Sequence, residues 1–528
     1  MGSLTGTGHL VRLILRRDRF RLPVWLLAIT GLTAFSGAAV RSTYDSPESL
    51  ASYARTVGDS AVGRLNSGHQ VALDTIDGIV ANEITIVTNV GVALMAMFLV
   101  VRHTRAEEES GRAELVRAGV VGRHAAPFAV GLVAIGAAIL LGALITGVLL
   151  AVRLDPAGSV AFGAAHATLG LFFAAVAAAA SQITYGARGA LGIAGGVVGV
   201  TYIVRSLGAM GENALYWVSP FGWAQGVDAF GDERWWLLAV VVGAAAVVFG
   251  LAAWLVTQRD AGAGLVQPRP GRPHASRALG TPFGLGLRLQ RGLLLGWLVG
   301  LAALAAVYAA VVPLVPDLLE GNPEMAEMLQ ISGTEDMVID QFLAYINVTL
   351  GVIGCVFGVA SVLRLRTEEE GDRAEALLAT RLSRRRWIWG SLGVTSLGLG
   401  VIALGMGVAM VVGYLGVEDA SRSGSLLAGV LAQLPAMLLV AAVAFLVVAW
   451  LPRFAIWVWA IVAFVMVEAM LGDSLRLPEA VRSASPYFHL PLYPSEAWTP
   501  LPGLVLLGLG AAATAVGLTG YQRRDIGR

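Results

Sequence analysis

Residues 126–151 read APFAVGLVAIGAAILLGALITGVLLA, 26 consecutive positions without a charged side chain. A helix needs about 20 mainly apolar residues to cross roughly 30 Å of hydrocarbon, so this stretch alone argues for a membrane span. Eleven further stretches read the same way. With it they place spans near 22–40, 84–101, 126–151, 159–180, 190–204 and 235–256, then 293–312, 342–363, 388–414, 426–448, 454–471 and 501–520. The composition of all 528 residues agrees: 56% are hydrophobic, 14% are charged and the mean hydropathy is +0.72. A soluble domain carries about a quarter charged residues, so a soluble enzyme of this length is excluded, and so is intrinsic disorder. The fold class expected is an all-α polytopic membrane protein of about 12 transmembrane helices. Small residues Ser36-Gly37-Ala38-Ala39 suggest a signal-peptide cleavage site. The Arg-rich lead-in and the apolar length favour an uncleaved span instead.

Arginine bias sets the orientation. The chain has no lysine, so all 37 basic residues are arginine. With the N-terminus inside, 28 fall in cytoplasmic segments, leaving 9 outside: Arg41, Arg55, Arg64, Arg153, Arg205, Arg234, Arg422, Arg476 and Arg482. The excess implies a multi-pass protein of the plasma membrane with both termini cytoplasmic. The net charge of +1 gives no nucleic-acid footprint. The single cysteine, Cys355, reads as a small buried hydrophobe.

The second half repeats the first. Arg105-Ala-Glu107-Glu108-Glu109-Ser-Gly-Arg112-Ala-Glu114 recurs as Arg366-Thr-Glu368-Glu369-Glu370-Gly-Asp-Arg373-Ala-Glu375. Ser219-Pro220 recurs as Ser485-Pro486, and Arg259-Asp260-Ala-Gly262 as Arg524-Asp525-Ile-Gly527. The pairs follow in order at nearly constant offset. Each repeat begins and ends inside, which makes them parallel six-span repeats with a pathway between the halves. The boundaries expected are 1–264 and 283–528, joined by a Pro-rich cytoplasmic linker, 265–282, that contains Gln267-Pro-Arg-Pro-Gly-Arg-Pro273. Gly192/Gly196 and Gly354/Gly358 stand at GxxxG spacing and suit close helix packing.

No catalytic site is legible. A phosphate-binding loop of the Walker type needs a lysine, and the chain has none. The scattered histidines and lone cysteine argue against zinc, and no GxSxG elbow appears. Gly508-Leu-Gly510-Ala-Ala-Ala513 fits a dinucleotide fingerprint formally but lies inside an apolar span. The feature present twice is the charged loop between the second and third spans of each half. Glu108/Arg112 and Glu369/Arg373 stand at i,i+4, a helix-supporting spacing. One copy alone reads as a solvated helix laced with ion pairs. Two copies at matching loops read as docking surfaces for two copies of a cytoplasmic partner.

These residues, with Tyr216-Trp-Val-Ser-Pro220-Phe-Gly-Trp223 and Arg259-Asp260-Ala-Gly-Ala-Gly264-Leu, resemble the fused twelve-span ABC-2-type exporter permeases of actinobacteria, a group described as exporters of polyketide antibiotics and similar to tetronasin-resistance permeases. The resemblance covers essentially the whole chain. It implies two parallel six-helix ABC-2-type repeats that export amphipathic, drug-like small molecules. ATP and Mg²⁺ would be bound by a separate ATPase subunit, two copies per chain, and none by this chain. It implies amphipathic connecting helices at Leu10–Arg21 and Leu285–Arg291, and coupling helices at Arg105–Glu114 and Arg366–Glu375. It also implies extracytoplasmic re-entrant hairpins at Glu212–Arg234 (with Ser219, Pro220, Phe221 and Trp223) and Arg476–Trp498 (with Ser485 and Pro486). The second hairpin departs, reading Ser485-Pro486-Tyr-Phe-His where the first reads Ser219-Pro220-Phe-Gly-Trp. Closure of the ATPase pair would rock one half against the other.

Polar residues inside spans are candidates for the translocation path. They are Asn89, His166, Asn347 and Glu468. Each has a plainer reading: Glu468 as a snorkelling side chain, the asparagines as helix–helix hydrogen bonds, His166 as a packed, satisfied histidine. Of the 36 acids, 23 lie outside, including Asp74, Asp77, Glu83 and Asp317 to Asp340. They read as solvated surface or as an exit vestibule that attracts cations. Two other functions compete. An ion-coupled secondary transporter would need coupling groups near the midplane, which the strong acids avoid. A membrane-embedded lipid-linked glycosyltransferase would want acidic metal ligands in the first outer loop, where Asp74-Thr-Ile-Asp77 is the nearest approach.

Overall fold

The computed structural model describes residues 3–58, 64, 68, 71–122, 124–259, 263–266, 274–316, 333–371, 373–416, 420–471 and 477–524. Loop residues 317–332, linker residues 267–273, Asp260, Gly262, Arg476, Asp525 and Gly527 lie outside the described residues. The chain forms two compact units, Met1–Pro270 and Gly271–Arg528. All regular structure among the described residues is helical, and twelve helices are long and apolar enough to cross a membrane. This is an all-α, multi-pass membrane protein.

In unit 1 the spans are Arg21–Thr43, Ile76–His103, Ala125–Ala151, Pro156–Ile183, Ala187–Met210 and Trp236–Thr257, called spans 1 to 6. In unit 2 they are Pro282–Val311, Glu335–Glu370, Arg384–Leu415, Ser423–Trp450, Pro452–Met470 and Pro500–Arg523, spans 7 to 12. The ends are written in the sequence. Asp155 accepts from the amide of Gly158 at 2.8 Å and Thr281 from that of Gly284 at 3.1 Å, each with proline as the first helical residue. Spans 2 and 4 are the most enclosed of unit 1, and spans 8 and 10 hold the matching places in unit 2. The repeat therefore extends from sequence to packing.

Several ends differ from the sequence reading. Span 5 runs to Met210, which takes Arg205 out of the expected outer loop and into a helix, fully buried beside Tyr202. The first connecting helix is Thr7–Arg17, separated from span 1 at 18–20. The second is no separate helix: Leu285–Arg291 continues into span 7, because nothing in that stretch interrupts the helical backbone. Leu265 and Val266 donate to the carbonyls of Gln182 and Ile183 at 3.1 and 2.9 Å, which attaches the start of the expected linker to span 4.

Close helix approach occurs at glycines other than one of the expected pairs. A Cβ at Gly142 would lie 2.5 Å from the Gly163 carbonyl oxygen, and one at Gly163 would lie 2.4 Å from that of Gly142, so spans 3 and 4 cross backbone to backbone. Gly354 and Gly358 do pack on span 10, against Met437 and Ala441. Gly192 and Gly196 have nothing within 4 Å among the described residues. Gly142→Leu is therefore expected to cost roughly 1–3 kcal/mol or more through overpacking and to lower the midpoint of thermal unfolding in detergent. Gly192→Leu is expected to leave that midpoint unchanged.

Candidate coupling site: an arginine–glutamate clasp in each unit

The charged loop of unit 1 is two short helices. Thr104 leaves helical geometry at φ −114°, ψ −86° and ends span 2. Arg105–Glu109 follows, then Gly111 at φ +74°, then Arg112–Arg117. A Cβ at Gly111 would meet nothing, so the glycine is required by its left-handed backbone and not by space.

This break places the middle glutamate inward. Glu108 accepts two hydrogen bonds from Arg259, at 2.8 and 3.0 Å, a bidentate pair, and its second oxygen also pairs with Arg105. Arg105 is 1% exposed and donates to the Tyr185 carbonyl at 2.8 Å. Arg259 donates to the Gln182 side chain at 2.7 Å and to the Ala263 carbonyl at 2.9 Å. The loop after span 2, the end of span 4 and the end of span 6 thus meet at one carboxylate. Burial pushes the Glu108 carboxyl up, but the Arg259 and Arg105 guanidinium groups outweigh it and hold it below its ordinary range.

Unit 2 builds the same node from the repeated residues. Glu369 pairs with Arg366 at 3.3 Å and with Arg524 after span 12, and Arg524 donates to the Val448 carbonyl near the end of span 10 at 3.1 Å. Tyr521 adds its hydroxyl to Glu369. The backbone differs, however. Span 8 continues as helix through Glu370 and stops at Gly371, so this loop has no counterpart of the Thr104 break.

The i,i+4 pairs expected from the sequence do not form. Arg112 lies 3.9 Å from Glu107 and Arg373 lies 2.6 Å from Glu368, because Gly111 and Gly371 end the helix between each glutamate and its intended arginine. The remaining loop acids divide by role. Glu109 accepts from the amide of Ala187 at 2.9 Å, at the N-terminus of span 5, where a negative charge is favourable. Glu370 pairs with Arg366 at 2.9 Å. Glu114 and Glu375 are exposed, without an acid–base partner among the described residues. So the motif is a buried clasp with an exposed tip.

Residues not singled out in the sequence extend the clasp in unit 1. Asp18, nearly buried, pairs with His103 at 2.6 Å and Arg102 at 3.2 Å, and Arg17 pairs with Glu107 at 2.8 Å. The connecting helix is thereby tied to the end of span 2. An aspartate just after a run of basic residues was the available signal.

The path candidates separate. Asn89 and His166 line one polar cleft of unit 1, with Asn82, Gln225 and Asp228. His166 is satisfied: its Nδ1 is 2.8 Å from the Phe162 carbonyl, which requires a donor there, and its Nε2 is 2.8 Å from Thr88. In unit 2, Asn347 donates to the Tyr493 carbonyl at 3.3 Å. Glu468 is buried and pairs with Arg482 at 3.4 Å, so it does not snorkel. Both residues tie a span to the segment before span 12.

The two hairpin segments also differ. In unit 1, Ser219 donates to the Thr201 carbonyl at 2.7 Å and accepts from the Phe221 amide at 3.2 Å, starting the helix Pro220–Gln225. Phe221 is buried against Phe173 and Tyr202, and Trp223 donates to the Trp217 carbonyl at 2.6 Å. In unit 2 the segment holds a four-residue helix, Glu479–Arg482, and a 3₁₀ turn, Pro486–His489, with Ser485 buried. Tyr487 there reaches Cys355 at 3.2 Å.

Breaking one partner of a buried ion pair costs about 3–5 kcal/mol. Arg259→Met is accordingly expected to lower the unfolding midpoint strongly, and Arg112→Met only slightly. In a double-mutant cycle, Glu108→Gln with Arg259→Met is expected to cost less than the sum of the single changes.

Residues 279–522, nearly the whole of unit 2, match the family model described as the C-terminal domain of the multidrug efflux system permease Rv1217c. The chain is 37% identical over 527 residues to the multidrug efflux system permease protein Rv1217c of Mycobacterium tuberculosis, covering 99% of this chain and 96% of that protein. A likeness of this extent, spanning both units and both clasps, places the chain in the family of that efflux permease.

Proposed function

We propose that the chain is the non-catalytic permease subunit of an ATP-driven exporter of amphipathic small molecules, with ATP and Mg²⁺ bound by a separate ATPase subunit in two copies per chain. The observation that carries this is the doubled clasp. An exposed tip suited to docking, Arg112 with Glu114 and Arg373 with Glu375, is bonded within a few residues to a buried carboxylate. Around that carboxylate, spans 2, 4 and 6, or 8, 10 and 12, converge. A push on the tip then moves three spans together. Arginine excess puts the tips, the clasps and both termini on the cytoplasmic side. The hairpin segments lie toward the other side, and Asn89 and Asn347 fall on the way.

The relative's printed function, multidrug efflux, supports the substrate class. Mild-detergent purification of the tagged chain from its native host is expected to recover an ATP-hydrolysing subunit. Recovery of the chain alone, with transport in liposomes driven by an ion gradient and no ATP hydrolysis, overturns the reading. Glu114→Arg combined with Glu375→Arg is expected to abolish recovery of the subunit at unchanged thermal stability. Glu108→Gln is expected to leave the subunit bound and to uncouple ATP hydrolysis from transport.

A further inference from the structure

Asn82, Thr85 and Asn89 stand at i, i+3 and i+7 on span 2 and share one face of that helix. With His166 of span 4, Gln225 at the end of the helix Pro220–Gln225 and Asp228 just after it, they line the polar cleft of unit 1. Half of these groups are already spent. His166 is held by Phe162 and Thr88, Thr85 donates to the Ala81 carbonyl, and Asp228 pairs with Arg234 at 3.4 Å. The three carboxamides are not. Asn82 donates to the Tyr53 hydroxyl at 2.9 Å, but its Oδ1 is buried without a partner among the described residues. Both polar atoms of the Gln225 side chain are buried in the same condition. Asn89 is 3% exposed, and its side chain has no hydrogen-bond partner among the described residues.

Buried polar groups are nearly always hydrogen-bonded, and each bond left unmade is costly. The donors and acceptors in the cleft say what would satisfy them. A carboxamide joins a carbonyl acceptor to an NH₂ donor. An ammonium group only donates, which leaves the NH₂ groups of Asn89 and Gln225 unmet. A carboxylate or phosphate only accepts, which leaves the carbonyl oxygens of Asn82, Asn89 and Gln225 unmet beside the Asp228 charge. A hydroxyl or an amide does both, and Asp228 already has its counter-ion in Arg234. The enclosed space is about 50 Å³, room for about four water molecules, so it admits one end of a molecule and not the whole. We propose that this cleft holds the uncharged polar end, a hydroxyl or an amide, of the exported amphipathic molecule, bonded by Asn89 and Gln225 with Asn82 as a further acceptor. The proposal rests on the export reading above and narrows its substrates to molecules that carry such an end. Spans 8 and 10 of unit 2 instead close tightly at Gly351, where a Cβ would lie 2.8 Å from that of Gln433 and 3.1 Å from the Tyr487 ring.

Three radiolabelled probes with the same alkyl tail test this on the full-length chain in phosphatidylcholine nanodiscs, with empty nanodiscs subtracted: N-(2-hydroxyethyl)decanamide, decylammonium and decanoate. The expected result is saturable binding of one uncharged probe per chain, with both charged probes about tenfold weaker or more. Asn89→Leu and Gln225→Leu are each expected to weaken the uncharged probe about three- to tenfold. Ala81→Phe, which fills the cleft, is expected to abolish its binding. Asn89→Leu is also expected to leave the thermal midpoint of the probe-free chain unchanged or higher, because no bond within the chain is lost; an asparagine that merely braces the helices would lower it. Equal binding of the three probes, or binding indifferent to Asn89→Leu and Gln225→Leu, overturns the proposal and assigns the cleft to water alone. The two leucine variants keep side-chain size nearly constant, so they decide the matter even if Ala81→Phe does not fold. Binding is read on the chain without an ATPase, so failure here leaves the export reading standing, and that reading falls only on the recovery experiment above.

Discussion

A carboxylate shared by two arginines, away from water, constrains each unit. Moving such charges out of water costs several kcal/mol per ion, and the cost is recovered only when the geometry is close and the remaining donors find acceptors. In unit 1 those acceptors are the carbonyls of Tyr185 and Ala263 and the Gln182 side chain. In unit 2 the Val448 carbonyl plays the part of Gln182. The ends of spans 4 and 6, or 10 and 12, must therefore come to the loop. Hydrophobic packing among apolar helices is permissive about register; this node is not. It fixes which ends of which helices share a level.

The doubling of the motif was legible in the sequence, and so were the number of spans and their approximate places, because charge-free runs in a chain this apolar have few alternatives. The partner of the motif was legible only in outline. The repeated Arg259-Asp260 and Arg524-Asp525 stood out as conspicuous pairs, yet nothing in their spacing announced that the arginines would reach back more than 150 residues to Glu108 and Glu369. Local spacing favoured Arg112 and Arg373 instead. What defeated that reading was a glycine between each glutamate and its arginine, Gly111 and Gly371, which ends the helix that the i,i+4 geometry requires.

Other misses share that character, in that tertiary context overrode a local signal. Arg205 looked like the start of a loop because a charge usually ends a span. Here the helix carries it on, with its guanidinium over the Tyr202 ring at 4.5 Å. Glu468 looked free to reach water but has Arg482 beside it. The glycine spacing at 192 and 196 was as regular as that at 354 and 358, but only the second pair faces a neighbouring helix within its unit. Periodicity locates a face; it does not say what lies against it.

The unequal joints at the two clasps have a mechanical consequence. In unit 2 the helix Glu335–Glu370 is 36 residues without interruption, about 54 Å at the rise of an α-helix. Its far end carries Asp336 and Asp340, both held by Arg422 ahead of span 10. Such a helix behaves as a strut: displacement at Glu369 arrives at Asp336 nearly undiminished. In unit 1 the same displacement would meet the bend at Thr104 before it entered span 2, and part of it would be turned sideways into the Asp18–His103 tie and the connecting helix. Under the proposed coupling role, one repeat would deliver a stroke along its length, and the other would convert the same stroke into a tilt near its base. Two copies of one sequence motif, receiving identical pushes, would then return different motions.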